Sequence, residues 1–332
     1  MTDLTTTEPV IAKQSLDTRI VDCHHHLWVA HGHRYLIDEF EADLATVPEV
    51  EATMFVECST MYRRTGPEEL HSVGEAEFVS GMAAMSDSGL FGPAKVCAGF
   101  VGSAPLALGE KVEDVLNALD TASGGRLRGI RGLATWDNDP SMNSGIRSMA
   151  PPNLMELDGF RDGVKTLGRM GLVYDAWQYY PQLPQLCDMA DALADVPMVI
   201  NHCGGLLGIG RYSDPENFQN WKQNVAEAAM RPNLKMKLGG LSGRRNGFGF
   251  ELRSDPPSAS ELIEMWRPYI ETCIDLFGPD RCMFESNFPV DNVAGSYRTI
   301  WSVFNTLVEG YSPVERAGML GQNALDTYRL AI

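Results

Sequence analysis

The chain lacks the marks of several protein classes. None of its seven cysteines belongs to a CxxC pair, and the odd number excludes a fully paired disulfide framework. Cys58, Cys97, Cys203 and Cys282 sit in apolar, strand-like stretches, as the reduced core residues of a cytoplasmic protein do. No apolar run approaches the roughly 18 residues of a membrane span, and Met1 to Thr18 carries no signal-peptide stretch. Residues 1–18 are expected to be a flexible segment and 19–332 a single domain. Positive charge is scarce: 27 Lys and Arg face 44 Asp and Glu, a net charge of -17, with no basic stripe and no acidic tail. That balance argues against nucleic acid and anionic membrane as partners and leaves a small molecule, because one pocket can be cationic inside an acidic protein.

What is present is regular. With 44% hydrophobic residues in 332, the chain can bury a large core, and single α/β barrels reach this length. Eight β-rich runs recur: 20–27, 52–60, 95–102, 127–135, 172–180, 197–204, 233–240 and 282–289. Segments with helical spacing of apolar residues lie between them, among them 112–119, 160–170, 183–193, 224–230 and 260–277. Strand and helix in eightfold alternation predict an α/β fold, a (β/α)8 TIM barrel. Long connections after runs one, six and seven are expected to cover its mouth, the last opening with the Gly-, Arg- and Phe-rich stretch 242–250.

Reactive groups in such a barrel gather at the C-terminal ends of the strands, and here the reactive side chains fall there. His24 and His26 close run one, Glu57 and Arg131 lie in runs two and four, and Asp175 and Trp177 in run five. His202 ends run six, Lys237 lies in run seven, and Glu285 and Asn287 lie in run eight. Strand periodicity turns Asp22, His24 and His26 to one face at about 6.6 Å per step, with Cys23 and His25 on the other, outward face. Two imidazoles on one face form half of a metal site.

The ordered motifs Asp-Cys-His-His-His-Leu-Trp at 22–28, Gly-Ile-Arg-Gly at 129–132, Leu-Val-Tyr-Asp at 172–175 and Asn-His-Cys-Gly at 201–204 extend into Lys-Leu-Gly-Gly at 237–240, the stretch 281–290 and Asn-Ala-Leu-Asp-Thr-Tyr at 323–328. The set resembles the amidohydrolase superfamily, within it the amidohydrolase-2 group, and most of all its sugar-lactone and pyrone-lactone hydrolase branch. The resemblance implies that His24, His26 and His202 bind a divalent metal, zinc-like, although some similar lactonases work without one. It implies that Arg131 holds a substrate carboxylate or carbonyl; barrels of this type often pair, so a homodimer is one possible assembly. In strand eight the family motif Gly-Ser-Asp-Trp-Pro reads Glu285-Ser286-Asn287-Phe288-Pro289, so an amide with no useful basicity stands where the family has its base.

Period 2 puts Glu285 and Asn287 on one face, so the carboxylate can have moved one layer deeper. Glu57 and Asp175 are further candidate bases, or else structural ion pairs with Arg131 or Lys237. Lys237 is an oxyanion stabiliser or the partner in such a pair. Three neutral imidazoles around an ion would lower the pKa of water to about 7. The expected activity is therefore metal-assisted opening of a small, carboxylate-bearing lactone in catabolism, with His202, Glu285, Asn287 and Glu57 in the chemistry and Arg131, Asp175, Trp177, Lys237 and Trp28 at the substrate. The alternatives are a metal-dependent decarboxylase of an aromatic or enoic acid and a non-catalytic binding barrel.

Overall fold

The computed structural model of the chain describes residues 19–30, 32–142 and 150–332, so the segment expected to be flexible, 1–18, lies outside the described residues. Eight parallel strands form one sheet: β1 (Ile20–His25), β4 (Val50–Val56), β5 (Lys95–Gly102), β6 (Leu127–Leu133), β7 (Val173–Trp177), β8 (Met198–Ile200), β9 (Leu234–Leu238) and β10 (Cys282–Phe284), paired in that order. A short antiparallel hairpin, β2 (Trp28–Ala30) with β3 (His33–Tyr35), stands apart. Just past the strand ends, Asn287 N donates to His24 O at 2.9 Å and His26 N to Phe288 O at 2.7 Å, which draws the last strand back to the first. The expected barrel is present.

Helices wrap the sheet: α1 (Ile37–Leu44), α2 (Val73–Asp87), α3 (Val112–Ala122), α4 (Asp158–Arg169), α5 (Leu183–Ala192), α6 (Asn217–Ala229), α7 (Ala259–Phe277), α8 (Tyr297–Leu307) and α9 (Asn323–Tyr328). In α4, Phe160, Gly163, Val164 and Leu167 recur on one helical face and are buried. Helix α7 starts on a capping box: Ser258 Oγ accepts from Glu261 N, and Ser258 N donates to Glu261 Oε2.

Alternation along the strands sorts residues into two cores. Val21, Cys23, Ala52, Met54, Val56, Val101, Val173, Val199 and Met283 fill the barrel interior, where Tyr328 of α9 joins them. Their neighbours, such as Phe55, Ile130, Tyr174, Met198 and Ile200, pack outward beneath the helices.

The first strand departs from simple alternation. It pairs Asp22 with Thr53 and His25 with Phe55, so three steps on β1 match two on β4, a bulge with one extra residue. Cys23 therefore faces the interior cluster, and His24 next to it also turns inward, towards Glu285. Asp22 faces outward instead, taking Ser286 Oγ at 2.6 Å and the hydroxyl of Tyr297 in α8 at 2.9 Å. The expected shared face of Asp22, His24 and His26 is corrected accordingly, while His25 packs outward against Phe40 as expected.

Most strands stop earlier than their apolar runs do. Residues just past them, Ser59, His202, Cys203, Gly240 and Asn287, have left-handed φ between 49° and 63°, which bends the chain over the rim. The connections differ too. The stretch after β1 is a hairpin and a helix rather than a loop, and a long connection, residues 134–157, follows β6, where none was expected.

Candidate active site

A cavity of about 370 Å³ opens at the C-terminal ends of the strands. Trp28, Trp177 and Tyr179 give it aromatic walls, Leu133, Leu206 and Val290 apolar ones, and His26, His202, Glu57, Arg131, Arg245 and Asn287 its reactive groups.

Glu285 organises the imidazoles from below. It is fully buried one residue past β10, and its Oε1 accepts from His202 Nδ1 at 2.6 Å and from the His202 backbone N–H at 3.0 Å. Its Oε2 lies 2.6 Å from His24 Nδ1 in a close but poorly aligned contact. Burial alone would raise this carboxyl, but the facing imidazoles of His202 and His24 hold it well below the usual carboxylate range. An ionised carboxylate only accepts, so the proton of His202 is on Nδ1 and its Nε2 is left for the cavity. The glycines of the 237–240 motif make room: a Cβ on Gly239 would overlap Glu285, and one on Gly240 would overlap the His202 ring.

The other two imidazoles are fixed as firmly. His26 Nδ1 lies 2.8 Å from Val56 O, an acceptor, so His26 also keeps its Nε2 lone pair. His24 Nε2 lies 3.3 Å from Arg131 Nη1, a donor, so His24 is protonated on Nδ1. Burial drives His24 and His26 well below the usual imidazole value. The ring centroids of His24 lie 4.9 Å from His26 and 4.7 Å from His202, so strands one and six do bring the three rings together.

This donor set can be tested against a divalent ion. Imidazoles whose far nitrogens are held by a carboxylate or carbonyl, with the near nitrogens turned to the cavity, are the arrangement that metal-binding histidines use. His26 and His202 satisfy it at the cavity, and donor atoms of His24, His202 and Glu285 lie within 4.8 Å of one another. His24 fits on one condition: its Nε2 already accepts from Arg131, so the guanidinium must withdraw before that lone pair is free.

Arg131 and Glu57 form one unit. Arg131 Nε donates to Glu57 Oε1 at 2.7 Å, and Nη2 to the Glu57 carbonyl. With Nη1 on His24, three of its five N–H groups are engaged and the rest remain for a ligand. Asp175 and Lys237, expected at the substrate, are instead a fully buried pair inside the barrel, Nζ to Oδ2 at 2.7 Å, and neither lines the cavity. Burial would strip the Lys237 proton, yet Asp175 raises its pKa. Asn201 and Tyr328 donate to the same carboxylate, so this is the ion-pair alternative, with α9 capping it from the barrel floor.

Two carboxyls escaped the motif reading. Asp291 accepts from Asn287 Nδ2 at 2.9 Å, and burial pushes it up to about 7. Glu75 in α2 accepts the backbone N–H groups of Cys58 and Thr60, pinning the loop that carries Glu57, and burial raises it to about 8. Only the four-residue spacing from Asn287 could have drawn attention to Asp291, and no local signal marks Glu75.

Known proteins share this chain's sequence pattern and its fold. Protein y4mH of Sinorhizobium fredii is 29% identical over 337 residues, covering 95% of this chain and 99% of its own length. L-fucono-1,5-lactonase of Burkholderia multivorans is 29% identical over 178 residues, 52% of this chain and 56% of that protein. A Burkholderia multivorans amidohydrolase solved with bound zinc shares the fold, with a TM-score of 0.71 at 22% identity over 94% of this chain and 100% of that one. Among the described residues no helix is long and apolar enough to cross a membrane. Residues 21–330 match the amidohydrolase family as a whole, and with the barrel and its ring of strand-end histidines this protein belongs to that family of hydrolases.

Proposed function

We propose that the protein opens the ring ester of a small, carboxylate-bearing lactone by hydrolysis. The observation that carries this reading is the pair of cavity-facing imidazoles, His26 and His202, each with its proton-bearing nitrogen committed elsewhere, beside an arginine with N–H groups to spare. Similarity to a protein named L-fucono-1,5-lactonase supports a lactone as the substrate, and the spare N–H groups of Arg131 favour a carboxylate on it.

Water attacks the lactone carbonyl while His202 Nε2 takes its proton, and Glu285 balances the imidazolium that forms. Arg131 donates to the oxygen on which negative charge gathers. When the ring C–O bond breaks, His202 returns the proton to the departing alkoxide, and the product is an open hydroxy acid. Glu57 holds Arg131, and Trp28 and Trp177 shield the cavity walls. A divalent ion such as zinc would be held by His26, His202 and, once Arg131 withdraws, His24, and would supply Lewis acidity towards the carbonyl and the water in place of proton removal by His202, whose Nε2 lone pair it would occupy. Asp175 and Lys237 support the floor.

Acid release from a panel of carboxylated γ- and δ-lactones, with zinc and with a chelator, tests this. Wild-type turnover is expected, and His202→Ala should lower kcat by about 10²–10⁴-fold. No acid from any lactone ends the proposal, and near-normal turnover by His202→Ala removes that residue from it.

A further inference from the structure

Asn287 and Asp291 form a unit that the family motif does not contain. Asn287 lines the cavity at 5% exposure, at the position that family resemblance gives to an aspartate, and its φ of 52° turns it over the barrel rim. Asp291 lies four residues on, in the turn Val290–Val293; it is 1% exposed and does not line the cavity. The carboxylate therefore stands behind the amide.

An amide has two unlike ends. Asn287 Nδ2 is committed to Asp291 Oδ1 at 2.9 Å, and with Asp291 ionised this contact decides which way the amide points, because a carboxylate oxygen accepts and cannot pair with the amide oxygen. The Asp291 backbone N–H donates to the Asn287 carbonyl at 3.2 Å, which ties the two residues a second time. Asn287 Oδ1 is the end left for the cavity, on the same rim as His26 and His202.

We propose that Asp291 is a positioning residue that fixes the Asn287 amide with its oxygen in the cavity, so that position 287 presents a neutral acceptor for a hydroxyl or water rather than a base. This deepens the lactonase reading and rests on it. Asn287 Oδ1 orients the attacking water or a substrate hydroxyl through one accepted hydrogen bond, and the proton itself leaves to His202. Asparagine tolerates left-handed backbone, so no strain opposes this use of position 287. An aspartate at 287 would set two carboxyl groups less than 3 Å apart, where both could not ionise, so the amide is what lets an ionised carboxylate sit behind it.

Four variants of the full-length protein test this: Asp291→Asn, Asp291→Leu, Asn287→Asp and the exchange Asn287→Asp with Asp291→Asn. Asp291→Asn keeps an acceptor behind Asn287, and its kcat on any lactone that the wild type opens should stay within about threefold. Asp291→Leu has similar bulk but leaves the amide free to turn, and kcat should fall at least tenfold. Selective ¹⁵N-asparagine labelling reads the amide without substrate: one Asn287 side-chain N–H should be protected from exchange in the wild type and in Asp291→Asn but not in Asp291→Leu. Asn287→Asp should melt lower than the wild type, and the exchange should recover most of that loss. Equal kcat in Asp291→Leu and the wild type overturns the proposal, as does an unprotected Asn287 amide in the wild type or an exchange that melts no higher than Asn287→Asp. If the wild type opens no lactone, the parent reading fails, while amide protection and melting still decide whether Asp291 sets the amide.

Discussion

Single atoms decide the chemistry. Gly240 has a left-handed φ of 63°, and a methyl group there would overlap the His202 ring. Gly240→Ala should therefore displace His202 from Glu285, lowering both the melting temperature and the lactone turnover; an unchanged melting curve with full activity would show that the ring does not depend on that gap. The tautomers of His24, His26 and His202 follow in the same way from their partners, since a carbonyl can only accept and a guanidinium can only donate. None of this is legible in the sequence. The motif names His202, but the carboxylate behind it lies 83 positions away and meets it only because β8 and β10 flank β9.

At the scale of elements, strand order was readable and strand ends were not. The run 95–102 coincides with β5, whereas 197–204 contracts to Met198–Ile200, because left-handed residues past the strand break the ladder while the apolar sequence continues. The bulge in β1 is likewise invisible locally: every residue of Ile20–His25 is buried, so neither face of the strand has a polar pattern to fix its register. Asp175 and Lys237 show what strand alternation does determine, since both point inward and meet in a pair also held by Asn201 and Tyr328. Asp175→Ala should cost about 3–5 kcal/mol in urea unfolding by leaving a buried lysine unpaired. Adding Lys237→Met should recover much of that loss; if the double variant is no more stable than Asp175→Ala, the unpaired charge is not the cause.

Across the whole molecule, buried titratable groups set a pH window for stability. Asp22 is raised from 3.8 to about 6, Asp291 from 3.8 to about 7 and Glu75 from 4.5 to about 8, each chiefly by burial. Such acids bind protons on folding, so the stability they contribute is present at low pH and is lost as pH rises through those folded values. His24 and His26, lowered by burial, act oppositely: folding sheds their protons, and the stability they cost at low pH returns as pH approaches 6.5. The melting temperature should therefore peak between about pH 5 and 7 and fall from pH 7 to 8.5, and Glu75→Gln should flatten that fall. A melting temperature that rises steadily to pH 8.5 would contradict the assignment. Net charge of -17 adds repulsion in the same alkaline direction.

By itself, the sequence determined the eightfold alternation, the identity of the three histidines and of Arg131, and the absence of an aspartate at 287, because periodicity and residue chemistry are local properties. Tertiary structure alone decided that Glu285 braces the imidazoles, that Arg131 is shared between Glu57 and His24, that Asp175 and Lys237 are sealed below the cavity, and that Asp291 stands behind Asn287. The physical reason is that a side chain's role depends on which of its donors and acceptors are already occupied, and in a closed barrel most of those partners come from other strands.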